Sequence, residues 1–143
     1  MRSALLGSKF KIMREIKFRA WYNDQKYMAY QDTPDLETIQ SFMHHFGDKI
    51  LMQFTGHKDC DDKDIFEGDI LGDWNDCDGN MVLSNEVVFF DETLGCWMLD
   101  QSLHKDHSFA TSLFENLNDF AYKVIGNIYE HPDLVVVASE ADA

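Results

Sequence analysis

The chain has 143 residues, of which 45% are hydrophobic and 13% aromatic, so it can form one domain with a sizeable core. It carries 26 acidic and 12 basic side chains, and its formal net charge is −14. Nucleic-acid-binding proteins usually present a basic surface, so this composition argues against direct nucleic-acid binding.

The cysteines and the hydropathy of the chain predict its compartment. Cys60, Cys77 and Cys96 are odd in number and lack C-x-x-C spacing, which argues against a disulfide framework and a zinc ribbon. No apolar run reaches the ~20 residues of a membrane-spanning helix. Leu5 and Leu6 lie in an apolar run too short for a signal peptide. We therefore expect a cytoplasmic protein with free thiols and no membrane partner.

The N-terminal part predicts an extension followed by a hairpin. Residues 1–12 contain three basic side chains and no acidic one, so we expect a disordered extension, with a single β-rich domain over residues 13–138. From residue 16 the side chains alternate with a period of two, which predicts a strand with one buried face. A polar turn at residues 23–26 and a second strand over residues 27–30 complete the hairpin.

A helix is predicted to follow the hairpin. Thr33 is a suitable N-cap, Pro34 suits the first helical position, and Gly47 suits the C-cap. Apolar residues three or four apart from residue 36 to Phe46 would form one face. His44 and His45 would lie in the last turn, where the helix dipole favours positive charge.

The remaining segments predict further short strands and one more helix. Val87–Phe90 and Cys96–Leu99 would pair around a turn, and Ser112 begins a helix with capping-box spacing. The other predicted strands are residues 50–54, 69–74 and 122–129, with an acidic bend between the first two. These elements predict a mainly β fold, or β-rich α+β, built as a small bent SH3-like barrel with an N-terminal hairpin and one or two short helices. We expect residues 13–56 to form a leading lobe, residues 57–138 the barrel-like part, and residues 139–143 a frayed tail.

Acidic and histidine side chains are the candidates for a metal site. An EF-hand frame centred on Gly79 would place Trp74 at the first ligand position, so the spacing does not match a calcium loop. No nucleophile elbow, phosphate-binding loop or cofactor motif is present, so we assign no catalytic residue and no cofactor. The candidate metal ligands are Asp59, Asp61, Asp62, Asp76, Asp78, His104 and His107.

Four stretches together resemble the YopX family of small bacteriophage and prophage proteins. They are residues 13–21 (MREIKFRAW), 53–56 (QFTG), 64–70 (DIFEGDI) and 124–134 (VIGNIYEHPDL). The resemblance implies a β-rich fold and an intracellular, phage-associated origin. It implies no reaction and no functional residue, because no biochemical function is established for the family. The family turn commonly has glycine where this chain has Asp62.

Three functions follow as hypotheses. The first is a non-enzymatic phage accessory protein that binds a host or phage protein, with a homo-oligomer as a further expectation. The second is a metal-assisted hydrolase that uses the acids between Asp59 and Asp78. The third is an acidic mimic of nucleic acid, which would need carboxylates in rows.

Overall fold

The computed structural model describes residues 15–31, 38–46, 49–73, 82–100 and 110–134, and these ranges form two antiparallel sheets. One of the sheets is a half-barrel. The mainly β fold predicted from the sequence is therefore confirmed. In chain order the elements are β1 (Phe18–Tyr22), β2 (Tyr27–Tyr30), α1 (Ile39–Phe46), β3 (Ile50–Lys58), β4 (Asp64–Phe66), β5 (Asp69–Asp73), β6 (Val82–Asp91), β7 (Cys96–Asp100), β8 (Ala110–Ser112), α2 (Leu113–Asp119) and β9 (Tyr122–Asn127).

The first sheet has the strand order β2-β1-β3-β4 and includes the predicted hairpin. Strand β1 is an inner strand, and Arg19, Ala20 and Trp21 are all buried. Trp21 packs with Met52 in a small apolar cluster that Tyr129 also contacts. The prediction of a single buried face on β1 is therefore wrong, because neighbouring elements cover both faces of this strand.

The second sheet has the order β8-β7-β6-β5-β9 and supports the main apolar core. Helix α2 follows β8 directly, and its N-cap residue Ser112 accepts a hydrogen bond from the backbone N–H of Glu115 at 3.4 Å, as the capping-box spacing predicts. The buried core residues are Ile65, Leu71, Val88, Leu99, Leu113 and Tyr122.

A helix is confirmed over Ile39–Phe46, but it begins later than predicted, because Thr38 is not helical and its hydroxyl accepts the N–H of Ser41 at 3.0 Å as an N-cap. The predicted start at Thr33 and Pro34 lies outside the described residues. Phe42 is buried, whereas Ile39 and Met43 are exposed, so only part of the predicted apolar face is covered by described residues. The last turn carries His44 and His45, as predicted.

The acidic bend predicted after residue 54 is instead a β-hairpin. Strand β3 continues to Lys58 and pairs with β4, with a bulge between Phe54 and Lys58. The turn between the two strands closes through a hydrogen bond from the N–H of Asp59 to the carbonyl of Lys63 at 2.8 Å. Asp62 lies in this turn with φ 66°, a left-handed conformation that costs an ordinary L-residue about 1–2 kcal/mol.

We expect Asp62→Gly to be more stable than Asp62→Ala by about 1 kcal/mol, because glycine adopts the left-handed conformation without a Cβ clash. The side chain of Asp62 is exposed, so either substitution removes little packing. Urea unfolding of the two variants measures the difference. Equal stability of the two would show that the turn does not hold residue 62 at positive φ.

Candidate functional site

A buried ion pair joins the two sheets. Arg19 of β1 and Asp69 of β5 are 3% and 1% exposed, and the guanidinium Nη2 lies 2.8 Å from the Asp69 Oδ1. The same Nη2 donates to the carbonyl of Glu67 at 3.1 Å, and the guanidinium stacks on the ring of Phe66 with 4.8 Å to its centroid. The second oxygen of Asp69 accepts the N–H of Phe66 at 2.7 Å. The pair therefore has hydrogen bonds beyond its own contact, which a buried ion pair requires.

Burial and charge act in opposite directions on Asp69. Burial raises the pKa of this carboxyl above its ordinary value, and the charge of Arg19 together with the N–H of Phe66 opposes that rise. Burial has the larger effect. Arg19 thus stabilises the ionised form of Asp69 against the effect of burial.

A polar cleft of about 590 Å³ opens beside the ion pair, between β4 and β9. Each of these two strands is an edge strand of its sheet. Backbone groups on the free edge of β9 are already hydrogen-bonded to the turn after β3. The carbonyl of Tyr122 accepts the N–H of Cys60 at 3.1 Å, and the N–H of Val124 donates to the Oδ2 of Asp59 at 3.0 Å. The chain itself therefore protects this edge against pairing with another strand.

At the C-terminal end of β9, His131 forms hydrogen bonds with the backbone of Asn127. The N–H of Asn127 donates to the His131 Nδ1 at 3.2 Å, and the N–H of His131 donates to the Asn127 carbonyl at 2.8 Å. A Cβ at Gly126 would lie 2.7 Å from the His131 Nδ1, so the ring packs where only glycine leaves room. The polar groups at this end of the cleft thus hold the strand in place.

The predicted metal ligands have other roles where the structure describes them. Both carboxylate oxygens of Asp59 accept backbone N–H groups, and Asp61 pairs with Lys123 at 2.9 Å. Asp62 is exposed in the turn. Among the described residues no group of three or more His, Cys, Asp or Glu side chains is arranged to hold a metal ion. The remaining candidates, Asp76, Asp78, His104 and His107, lie outside the described residues.

A second concavity of about 460 Å³ is lined by aromatic side chains, and we call it the aromatic groove. It lies between β3, the β6–β7 hairpin and the first turn of α2. Two ring contacts shape it, one of 5.0 Å between the centroids of Phe90 and Trp97 and one of 6.1 Å between His57 and Phe114. Its five rings belong to Phe54, His57, Phe90, Trp97 and Phe114.

Two rings of the aromatic groove are unusually open to solvent for phenylalanine. Phe114 is 59% exposed and Phe90 is 40% exposed. Burial lowers the pKa of His57, so its imidazole is neutral at about pH 7. An open concavity that combines exposed aromatic rings with a few polar side chains is typical of a surface that binds another molecule.

Sequence reasoning missed the aromatic groove. It predicted a strand covered on both faces over residues 87–90, but the structure buries Val88 and exposes Phe90. The register of α2 contains a usable signal: Leu113 and Asn116 are three apart and buried, so Phe114 falls off that face. The convergence of three distant segments at one groove has no local signal.

The comparisons with known proteins agree with the fold. The family model described as YopX protein matches residues 17–136. The chain is similar in structure to protein EF1440 from Enterococcus faecalis, with a TM-score of 0.56 and 22% sequence identity, covering 86% of this chain and 99% of that one. No protein with a curated description matches the sequence. Within the described ranges, neither helix has the length and apolar character needed to cross a membrane.

Proposed function

Because the chain belongs to the YopX protein family, we propose that it is a phage-associated protein without catalytic activity that binds a host or phage protein through the aromatic groove. The observation that carries this proposal is the exposure of Phe90 and Phe114 in one concavity. Aromatic side chains, phenylalanine among them, are enriched in protein interfaces relative to the rest of the surface. The two rings are held by strand and helix, so little conformational entropy is lost when a partner covers them.

The polar cleft is a less suitable binding surface than the aromatic groove, because its polar backbone groups are already bonded within the chain. Its strand edges at Tyr122, Val124 and Asn127 are bonded to the chain itself, which leaves β9 little capacity to accept a partner strand. Most residues that line the cleft come from the stretches 13–21, 64–70 and 124–134, which build the junction of the two sheets. The aromatic groove is therefore the surface that is open to a partner, whereas the residues of the polar cleft hold the two sheets together.

We expect Phe114→Ser to lose the captured partner in a pull-down from bacterial lysate by the immobilised full chain. Truncating an anchor residue of an interface weakens binding by at least about tenfold. Phe120→Ser is the matched control, because Phe120 is 43% exposed at the other end of α2 and does not line the groove. Quantitative mass spectrometry of the bound fractions gives the comparison.

The proposal fails if the wild-type chain and both variants recover the same proteins in the same amounts. Circular dichroism and the unfolding midpoint of each variant show whether the fold is intact. Phe114 is largely exposed, so we expect its replacement to change the unfolding midpoint little.

A further inference from the structure

We infer that the segment bound by the aromatic groove is both basic and apolar, with Lys or Arg side chains interleaved with aliphatic ones. This inference rests on the proposed function and specifies the chemistry of the partner. It follows from the charge around the groove, from the aromatic rings that remain open, and from the size of the concavity.

The charge around the groove has one sign along one wall. The sequence between Lys63 and Lys105 contains several Asp and Glu but no Lys or Arg. This stretch includes β6 and β7. Strand β8 has no charged side chain, and helix α2 carries Glu115 and Asp119 but no Lys or Arg. The residues of this wall that line the groove are themselves uncharged. The acidic side chains flank it: Asp91 and Glu92 follow Phe90 in the chain, and Glu115 follows Phe114. These flanking carboxylates favour a cationic partner, in keeping with the net charge of −14.

The opposite wall contributes one basic lining residue, Lys58. Its ammonium lies 3.6 Å from the Asp64 carboxylate, and Glu15 also lines the groove. Glu15 in turn pairs with Lys17 at 2.7 Å. Positive and negative charges therefore balance on this wall. The net negative charge beside the groove comes from Asp91, Glu92 and Glu115 on the opposite side.

The rings of the groove can accept cations. One ring of the groove already has a cation on it, because Lys17 lies over Phe54 at 4.7 Å. Outside the groove, Lys49 lies over Tyr22 at 4.8 Å. Among the described residues no Lys or Arg lies over Phe90, Trp97 or Phe114. These rings can therefore receive a cationic side chain of the partner on their faces and an aliphatic one between them.

The size of the groove favours a segment over a globular surface. A volume of about 460 Å³ lies within the range of about 300–1,000 Å³ that accommodates a few side chains. Phe90 and Phe114 are exposed at the groove, so a short segment of a partner can reach both rings.

Three synthetic peptides of about twelve residues test the inference against the full chain by isothermal titration calorimetry. One alternates Arg and Leu, one alternates Glu and Leu, and one alternates Arg and Ser. We expect the Arg–Leu peptide to bind at least about tenfold more tightly than either of the others, because it alone supplies both chemistries. Raising the salt concentration from about 50 mM to about 500 mM should weaken its binding several-fold.

The variants locate the binding. Phe114→Ser should lower the affinity of the chain for the Arg–Leu peptide by at least about tenfold, and Phe120→Ser should leave this affinity unchanged. Equal losses from the two variants would place the peptide elsewhere on the acidic surface and overturn the inference. A wild-type dimer in sedimentation analysis that Phe114→Ser converts to a monomer would assign the groove to a second copy, and would overturn it as well.

The two proposals fail in distinguishable ways. If the Glu–Leu peptide binds the groove as tightly as the Arg–Leu peptide, the basic partner is wrong, while a Phe114-dependent protein from lysate would still support the proposed function. If no peptide binds and the lysate yields no Phe114-dependent protein, both proposals are wrong.

Discussion

Replacing Arg19 by methionine is expected to lower the free energy of unfolding by about 3–5 kcal/mol, because Asp69 is then left as a buried carboxylate without its partner. Methionine fills much of the volume of arginine, so the loss reports the charge and the hydrogen bonds more than a cavity. Urea unfolding followed by tryptophan fluorescence measures the change. A loss below about 1 kcal/mol would be typical of a surface pair and would contradict the burial of this one.

Two further variants separate the ion pair from general damage. In Arg19→Met with Asp69→Asn no buried charge remains, and the asparagine oxygen can still accept the N–H of Phe66, so we expect this double variant to recover part of the lost stability. Lys123→Met removes the half-buried partner of the exposed Asp61 and should leave the unfolding midpoint close to that of the wild-type chain.

The effect of Arg19→Met should depend on pH with a defined sign. The pKa of Asp69 is raised in the folded chain, and loss of Arg19 removes the charge that opposes this rise. A carboxyl with a raised pKa in the folded state is tolerated below its unfolded pKa of about 3.9 and becomes destabilising as the pH rises through the folded pKa. The difference between variant and wild-type stability should therefore be small near about pH 4 and largest near about pH 7.

The local parts of the fold could be predicted because their causes are local. The turn at residues 23–26 and the Ser112 N-cap depend on neighbours within a few positions, and the structure has both. The end of β3 was misplaced because a bulge at residues 54–58 carries the strand past Gly56, which has a φ of 87°. A glycine at positive φ looks in the sequence like a turn, and here it lies inside a strand.

The junction of the sheets could not be predicted because its partners are far apart along the chain. Arg19 and Asp69 are 50 positions apart. In the sequence each looks like an ordinary surface charge between apolar neighbours. Only the pairing of β1 with β3 and of β3 with β4, which leads directly into β5, brings them together. The same reason applies to His57, Trp97 and Phe114, which come from three separate elements.

The stretches that carry the resemblance to the family have a shared location that the sequence alone does not reveal. Residues 13–21, 64–70 and 124–134 meet at the polar cleft beside the Arg19–Asp69 pair. Phe90, Trp97 and Phe114 of the aromatic groove lie outside all four stretches. The aromatic groove shares Glu15 and residues 54–56 with these stretches, but its exposed rings, Phe90 and Phe114, come from other parts of the chain. A change at Phe114 can therefore alter recognition without disturbing the junction of the two sheets.

Asp59→Ala is expected to lower the free energy of unfolding by about 2–3 kcal/mol, because one buried carboxylate accepts three backbone N–H groups. Its Oδ1 accepts those of Asp61 and Lys63, each at 2.9 Å, and its Oδ2 accepts that of Val124 at 3.0 Å. The residue thus organises its own turn and also holds that turn against β9. Urea unfolding measures the loss, and hydrogen exchange of the Val124 amide reports the contact with β9.

Asp59→Asn distinguishes the two roles of the carboxylate. The single amide oxygen can keep the N–H groups of Asp61 and Lys63, and the amide NH₂ would then face the N–H of Val124, a donor against a donor. We expect faster exchange at Val124 with the turn amides still protected, and a smaller loss of stability than in Asp59→Ala. Asp61→Asn is the control, because its exposed carboxylate contacts Lys123 and should leave Val124 protected. Unchanged exchange at Val124 in Asp59→Asn would show that the turn is held to β9 by other contacts, such as the bond from Cys60 to Tyr122.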